Sequence, residues 1–380
     1  MGKRIAILGA GQLAKYLVQS SDRLCLEVTV VASSPEEPAL QESCQRVIDR
    51  WTPELFLQVF QEHELVTFEN EWISESLLSA VKERGFLAKL FPAFSSVQKV
   101  RTKWDQKEFF FQQGYPTARS LSCTEFEETI PFPGGVVLKE SELAYDGKGV
   151  FVFAASDFDA LKRKTIELDR LKRPWYLEEK IDFKQELALV FTRSRSGEFV
   201  HLPLVQFQSE NGICSSVFVE GENKGLMANL EIEAVQIAQD LAEKLNWCGT
   251  AAIEFFYHEN RGLLVNEFAP RVHNSGHFSL SASRTSQFEN HLRAISGIGL
   301  GSYETAPFAM MKNLIGPEGS KKAVAPESRG KSEIFWYGKR EVRPGRKMGH
   351  VNQYGELSDR KKIIDEVNQL VNQWQKSTIS

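Results

Sequence analysis

Thr250-Ala-Ala-Ile-Glu-Phe-Phe-Tyr257 and Leu264-Val-Asn-Glu-Phe-Ala-Pro-Arg-Val-His-Asn-Ser-Gly-His277 are strand-like apolar runs separated by the polar His258-Glu-Asn-Arg-Gly262. A short polar segment with glycine between two such runs predicts a β-hairpin. Folded about Asn260-Arg261, the hairpin sets Glu254 opposite Glu267. Carboxylates facing each other across a strand pair repel. Either the two are solvated near a turn, or a divalent cation sits between them. Mg²⁺ typically takes one or two carboxylates together with nucleotide phosphates. Ile253, Phe255, Phe256, Val265 and Phe268 would bury this hairpin, which favours the cation and makes Glu254 and Glu267 candidate metal ligands.

Upstream, Val136-Val-Leu-Lys139 reads as a strand, and Asp146-Gly-Lys-Gly149 as a glycine turn before Val150-Phe-Val-Phe153. Glycines let backbone N–H groups approach phosphate oxygens, and a strand lysine adds a point charge. The GxxxxGK[ST] spacing of a Walker loop is absent. The pattern predicts a small lid of short strands, with a helix at Asp157–Leu171, clamping a nucleotide against the metal-bearing sheet. Trp175-Tyr-Leu-Glu-Glu-Lys180 reads as the return to a larger sheet. Its Glu178-Glu179-Lys180 suits an adenine and ribose edge, or equally a solvated charge run.

At the N-terminus, Arg4-Ile-Ala-Ile-Leu8 runs into Gly9-Ala-Gly11-Gln-Leu-Ala14, a helical stretch and the strand-like Glu27-Val-Thr-Val-Val-Ala32. Together with Leu65-Val-Thr-Phe68 this predicts a parallel open sheet. Gly9-x-Gly11-x-x-Ala14 fits a dinucleotide fingerprint. NAD, however, needs an acid at the end of the second strand, and Val31-Ala-Ser-Ser-Pro35 has none. The loop is expected to hold a substrate phosphate at a helix N-terminus; the alternative is a turn that needs glycine only for space. Ser95–Gln113 reads as one helix closed by Gly114-Tyr-Pro116, and Arg360–Gln375 as a C-terminal helix.

The 380 residues are 42% hydrophobic and 25% charged, ordinary for a globular protein with two or three domains. A net charge of −4 argues against a general nucleic-acid or membrane-surface binder. No apolar run reaches the ~18 residues of a membrane span, and a strand follows the first residues at once, so neither span nor signal peptide is expected. The five cysteines are scattered without CxxC spacing, which fits reduced thiols in a cytoplasmic enzyme.

Taken together, these residues resemble the ATP-grasp superfamily, and within it the N5-carboxyaminoimidazole ribonucleotide synthetases of purine biosynthesis. The resemblance covers nearly the whole chain. It is tightest at Asn266–His277, Thr285-Ser-Gln-Phe-Glu-Asn-His-Leu-Arg-Ala294, Tyr337-Gly-Lys339 and Arg343-Pro-Gly-Arg-Lys-Met-Gly-His350; Ile7-Leu-Gly-Ala-Gly-Gln-Leu13 matches too. It implies an α/β ATP-grasp fold: a Rossmann-like parallel-sheet domain over about 1–95, an ATP-grasp domain over about 96–300 with its lid at about 120–180, and a small C-terminal sheet domain over 301–380. The implied reaction is ATP- and bicarbonate-dependent carboxylation of 5-aminoimidazole ribonucleotide through carboxyphosphate, with Mg²⁺ and ATP bound and a homodimer as the assembly. Alternatives are a divergent ligase with another acceptor and a nucleotide-binding pseudoenzyme.

Carried onto this chain, the resemblance gives Lys103, Lys139, Ala144, Gly147 and Gly149 to the ATP phosphates, with Asn266 and Glu267 beside them. Glu178, Glu179, Lys180, Ile181 and Glu186 go to adenine and ribose. Arg271, His273 and Asn274 would meet bicarbonate and the imidazole substrate, Tyr145, Asp146 and Lys148 would close over it, and Lys339, Arg346 and Lys347 would supply cations. Gly11, Gln12, Leu13 and Glu69 would complete the substrate wall. The chain departs from the family in several places. Leu143 and Ala144 replace two lid glycines, Lys103 replaces an arginine, Ala14 replaces a glycine, and Glu71-Trp72 interrupts the usual Val-Pro after Thr67-Phe-Glu-Asn70.

Overall fold

The computed structural model describes residues 2–41, 44–47, 51–126, 129, 131–142, 148–320, 322–328 and 330–379. β1 (Arg4–Leu8), β2 (Glu27–Ala32), β3 (Cys44–Val47) and β4 (Leu65–Phe68) form a parallel sheet in the order β3-β2-β1-β4. Parallel strands are buried on both faces and so read as near-continuous apolar runs. Ile5, Ile7, Val28 and Val30 meet Leu13, Tyr16 and Leu17 of the helix Gln12–Ser21. Ala6, Leu8, Val66 and Phe68 meet Phe56, Phe60 and Val81 of the helices on the other side.

The stretch expected to be one helix after Ser95 is two, Phe94–Gln98 and Lys103–Gln112. Thr102 starts the second: its hydroxyl accepts from the Asp105 N–H at 3.0 Å, and the Asp105 carboxylate accepts from the Thr102 N–H at 3.1 Å. Such a reciprocal cap defines a helix start, so the break follows from the sequence.

The lid sheet is antiparallel: β5 (Ser120–Ser122), β6 (Val136–Glu140), β7 (Val150–Phe153) and β8 (Trp175–Glu179), in the order β5-β8-β6-β7. Trp175–Glu179 is thus an inner lid strand and not the return to the larger sheet. Trp175 and Leu177 bury against Val136, Leu138 and Leu161, the last from the helix Phe158–Arg170.

The third sheet contains β9 (Gln185–Arg193), β10 (Phe199–His201), β11 (Val205–Glu210), β12 (Ile213–Glu220), β13 (Gly249–His258), β14 (Gly262–Ala269), β15 (Phe308–Ile315), β16 (Glu333–Trp336) and β17 (Lys347–Gly355). Their order is β14-β13-β9-β11-β12-β15-β17-β16, with β10 beside β9. The ATP-grasp α/β architecture holds, but the C-terminal strands are not a separate small sheet. β15 pairs with β12 (Val217 opposite Met311) and extends the antiparallel sheet, which gives the free edge of β12 its partner. The helix Arg360–Ile379 covers β15 and β17 through Ile363, Val367, Leu370 and Trp374.

β14 is the edge strand that carries Glu267, and the helix Lys103–Gln112 closes it. Gln106 accepts from the Phe268 N–H at 2.9 Å and donates to the Phe268 carbonyl at 2.9 Å, as a neighbouring strand would. Pro116 and Thr117 do the same for Val265. Gln106→Leu keeps the volume but leaves a buried N–H and carbonyl unpaired, each costing about 1–3 kcal/mol. A denaturant titration is expected to show a loss of about 2 kcal/mol or more; an unchanged midpoint would show that the clamp is dispensable.

Candidate functional site

Near its turn the hairpin pairs His258 with Gly262 and Phe255 with Val265, a register that would set Glu254 against Asn266. The ladder shifts by one residue between Glu254 and Phe255, leaving Asn266 as the extra residue of a β-bulge, and Glu254 lies opposite Glu267. A bulge re-aims side chains and is over-represented beside active sites. Here Asn266 accepts from Lys139 Nζ at 3.2 Å, while Glu267 forms an ion pair with Lys103. The carboxylate pair read from the sequence is therefore present, flanked by two cations from other elements.

Burial and then the charge of Glu267 push the Glu254 carboxyl well above its usual range. Burial also acts on Glu267, but Lys103, together with Lys139 and Arg271, outweighs it and holds that carboxyl low. One member of the pair thus favours the ionised form and the other resists it, which is how facing carboxylates coexist without a metal. Glu178 of β8 is 2% exposed and ion-paired with both Lys139 and Lys107, the latter 3% exposed. Burial alone would raise its pKa; the two lysines bring it down to about 2. Among the described residues no cluster of three His, Cys, Asp or Glu could hold a metal alone. The donors facing the cleft are oxygens of Glu254, Asn266 and Glu267, so a hard cation would need further ligands from phosphate, and Mg²⁺ with a nucleotide fits that set.

Beyond β14, the Arg271 Nε donates to the Glu71 carboxylate at 2.9 Å. Glu71, which interrupts the family's usual sequence, therefore holds a candidate substrate arginine. His273 Nδ1 lies 2.9 Å from the Ser275 hydroxyl and accepts from the Ser275 N–H at 3.4 Å, which leaves the proton on Nε2, 3.5 Å from Glu254. Burial, with Arg271 and Lys347 nearby, pushes His273 down to about 3, so it is neutral near pH 7. Gln287 fixes this turn by bonding both the N–H and the carbonyl of His273. Asn274 exchanges amide hydrogen bonds with Asn313 of β15 at 3.1 and 2.7 Å. Lys339 donates to the Lys347 carbonyl, and Arg346 to the Glu341 carbonyl.

Glu179 bonds Arg119 and Arg261, Lys180 donates its N–H to the Gly135 carbonyl, and Ile181 is buried with Ala118 and Leu264. Glu186 accepts from the Ser209 hydroxyl at 3.1 Å. Gly149, with φ +70°, accepts from the Glu140 N–H after Lys148. Ala144, Tyr145, Asp146 and Gly147, like Leu143, lie outside the described residues. Sequence reasoning missed Gln106, Lys107, Glu71 and Gln287. For Lys107 a signal existed: it lies one helical turn beyond Lys103, on the same face.

The first glycine turn does not offer an open phosphate cradle. The Gly11 and Ala14 N–H groups, at the start of the helix with Gln12 and Leu13, donate to the Glu69 carboxylate at 2.6 and 3.2 Å. A Cβ on Gly11 would lie 2.7 and 2.8 Å from the two Glu69 carboxylate oxygens, and one on Gly9, at φ +98°, 2.6 Å from the Glu69 side chain. These glycines make room for a carboxylate from the end of β4, which occupies the amides expected to meet a substrate phosphate.

The ATP-grasp domain family matches residues 109–288, the ribonucleotide synthetase preATP-grasp domain residues 2–100, and the phosphoribosylaminoimidazole carboxylase C-terminal domain residues 309–362. Fold and site thus define an ATP-grasp protein. The chain is 35% identical to the N5-carboxyaminoimidazole ribonucleotide synthase of Synechococcus elongatus, over 92% of this chain and 89% of that one. It matches the crystal structure of the Thermus thermophilus synthetase at 29% identity and TM-score 0.82, covering 96% of this chain and 98% of that one. The Aspergillus clavatus carboxyaminoimidazole ribonucleotide synthase complexed with ATP matches at 26% identity and TM-score 0.80, over 98% and 99% of the two chains. The chain belongs to the N5-carboxyaminoimidazole ribonucleotide synthase family. No described helix is long and apolar enough to cross a membrane.

Gly11 has φ −74°, open to any L-residue, so Gly11→Ala isolates the contact with Glu69. We expect a loss of about 1–3 kcal/mol, the usual scale of overpacking. Combined with Glu69→Ala, the loss should fall short of the sum of the single losses, and NAD should give no saturable binding. Additive losses in a denaturant series would contradict the contact.

Proposed function

We propose that this chain carboxylates the exocyclic amine of 5-aminoimidazole ribonucleotide, using ATP and bicarbonate, as its family name implies. The observation that carries the reading is the facing Glu254 and Glu267 with Lys103 and Lys139 beside them, and Arg271 and His273 a few residues further along the same chain. Glu254 and Glu267 would hold Mg²⁺, which would supply positive charge to offset the charge developing at the transferring group. Lys139 and Lys103 would supply point charges to the phosphates, and the backbone of Glu179–Ile181 with Glu186 would border adenine and ribose.

A bicarbonate oxygen attacks the γ-phosphorus as the bond to the β–γ bridging oxygen breaks, giving carboxyphosphate and ADP. The amine nitrogen then bonds the carbon of carboxyphosphate as the carbon–oxygen bond to phosphate breaks, and the amine proton leaves with the departing phosphate. Arg271, held by Glu71, would orient bicarbonate through the guanidinium edge that Glu71 does not use. His273, neutral with its proton on Nε2, suits hydrogen-bond donation better than proton removal. Lys339, Arg346 and Lys347 would receive the ribonucleotide's phosphate, with Glu69, Gly11, Gln12 and Leu13 on the wall opposite. Tyr145, Asp146 and Lys148 would close the lid over it. A homodimer follows from the family resemblance and is open to sedimentation analysis.

Glu267→Gln keeps shape and removes one charge. Lys103 also feels Glu254, so it retains a counter-charge. The expected result is a fall in bicarbonate-dependent ADP formation of about 100-fold or more, the scale of a few kcal/mol. Stability without metal should stay within about 1 kcal/mol of the unaltered chain, because relieved repulsion between facing carboxylates offsets the lost ion pair. Retained turnover with lost stability would make Glu267 structural.

A further inference from the structure

Lys103 and Lys107 lie one turn apart on one face of the helix Lys103–Gln112. Like charges at this spacing are mildly destabilising, and a buried lysine needs a partner. Lys103 has Glu267, and Lys107 has Glu178. Glu178 is shared, however: its other carboxylate oxygen pairs with Lys139, the strand lysine that also reaches Asn266 at 3.2 Å. One buried carboxylate therefore serves two buried ammonium groups, so the Lys107–Glu178–Lys139 triad carries one net positive charge beside Asn266.

We propose that Lys107 is a positioning residue for the nucleotide: it neutralises Glu178 so that the charge of Lys139 stays available to a phosphate. This rests on the ATP site proposed above. When a phosphate oxygen approaches Lys139, the ammonium turns from Glu178 toward the anion. Without Lys107, that turn would leave Glu178 as an uncompensated buried charge, which is strongly unfavourable. With Lys107 in place, Glu178 keeps a partner throughout. Lys107 itself is held away from the cleft, since its ammonium also donates to the Thr117 hydroxyl at 2.9 Å, and Thr117 in turn donates to the Val265 carbonyl of β14. Burial lowers Lys107 to about 8, so it remains charged near neutral pH. Lys107 thus acts through Glu178 and Lys139 and does not touch the substrate.

The test is a set of variants of the full chain, read by the dissociation constant of ATP with Mg²⁺ and by thermal melting. Lys139→Met should weaken nucleotide binding directly. Lys107→Met should keep the fold, because Glu178 retains Lys139, yet weaken binding about tenfold or more. Glu178→Gln alone should melt earlier, with two buried lysines left uncompensated. The double variant Lys107→Met/Glu178→Gln frees Lys139 and should bind several-fold more tightly than Lys107→Met alone. Lys107→Gln, which keeps a donor to Thr117, serves the same test if the methionine variant does not fold. Binding unaffected by Lys107→Met, or a double variant as weak as the single one, would overturn the proposal. Binding unaffected by Lys139→Met would instead show that the ATP-site reading is wrong, and the proposal would fall with it.

Discussion

Two carboxylates forced to face each other across β13 and β14 set the terms for everything around them. The β-bulge at Asn266 creates the juxtaposition, and the surrounding chain compensates for it. A lysine from a helix outside the sheet sits on Glu267, and a lysine from the lid sits on Asn266. The strand that carries the pair would be an open sheet edge without Gln106, Pro116 and Thr117, which supply backbone-like partners. The same helix thus closes the edge and delivers Lys103 to Glu267. Its position relative to Glu267 is fixed by hydrogen bonds to the next residue, Phe268, and so does not depend on the ion pair.

The N-terminal sheet joins this arrangement through side chains from the end of β4. Glu69 turns back into the glycine loop and satisfies two amides of the helix start, while Glu71 reaches forward to Arg271. Glu71 thereby ties the first sheet to the loop that follows β14, while Glu69 braces the sheet's own glycine turn. Thr67 continues the link by contacting His291, whose other ring nitrogen accepts from the Thr250 N–H. These polar links are satisfied at both ends, which favours a rigid junction between the first sheet and the large sheet.

How much of this was legible varies with the range of the interaction. The hairpin and its facing glutamates could be read because apolar runs, a polar turn and a two-residue period determine register locally. Even there the turn pairs His258 with Gly262, and only the bulge restores the expected partner of Glu254; nothing in Val265-Asn-Glu267 announces a bulge. The carboxylate in the glycine loop was not legible, because a helix N-terminus accepts a carboxylate as readily as a phosphate and Glu69 comes from 58 residues away. Glu71 looked like an interruption because its partner lies 200 residues on. The split after Ser95 was legible in hindsight from Thr102 and Asp105. The continuation of the large sheet into β15–β17 was not, since strand order across a crossover depends on packing that periodicity does not record.

The central claim is that Glu254 and Glu267 face each other in order to share a cation with a nucleotide. Anomalous diffraction from crystals grown with Mn²⁺ in place of Mg²⁺ and a non-hydrolysable ATP analogue measures this directly. The account predicts a peak within bonding distance of both carboxylates and of a phosphate oxygen, with Lys103 displaced from Glu267 toward the nucleotide. A peak that leaves either carboxylate unligated, with Lys103 still seated on Glu267, would contradict it.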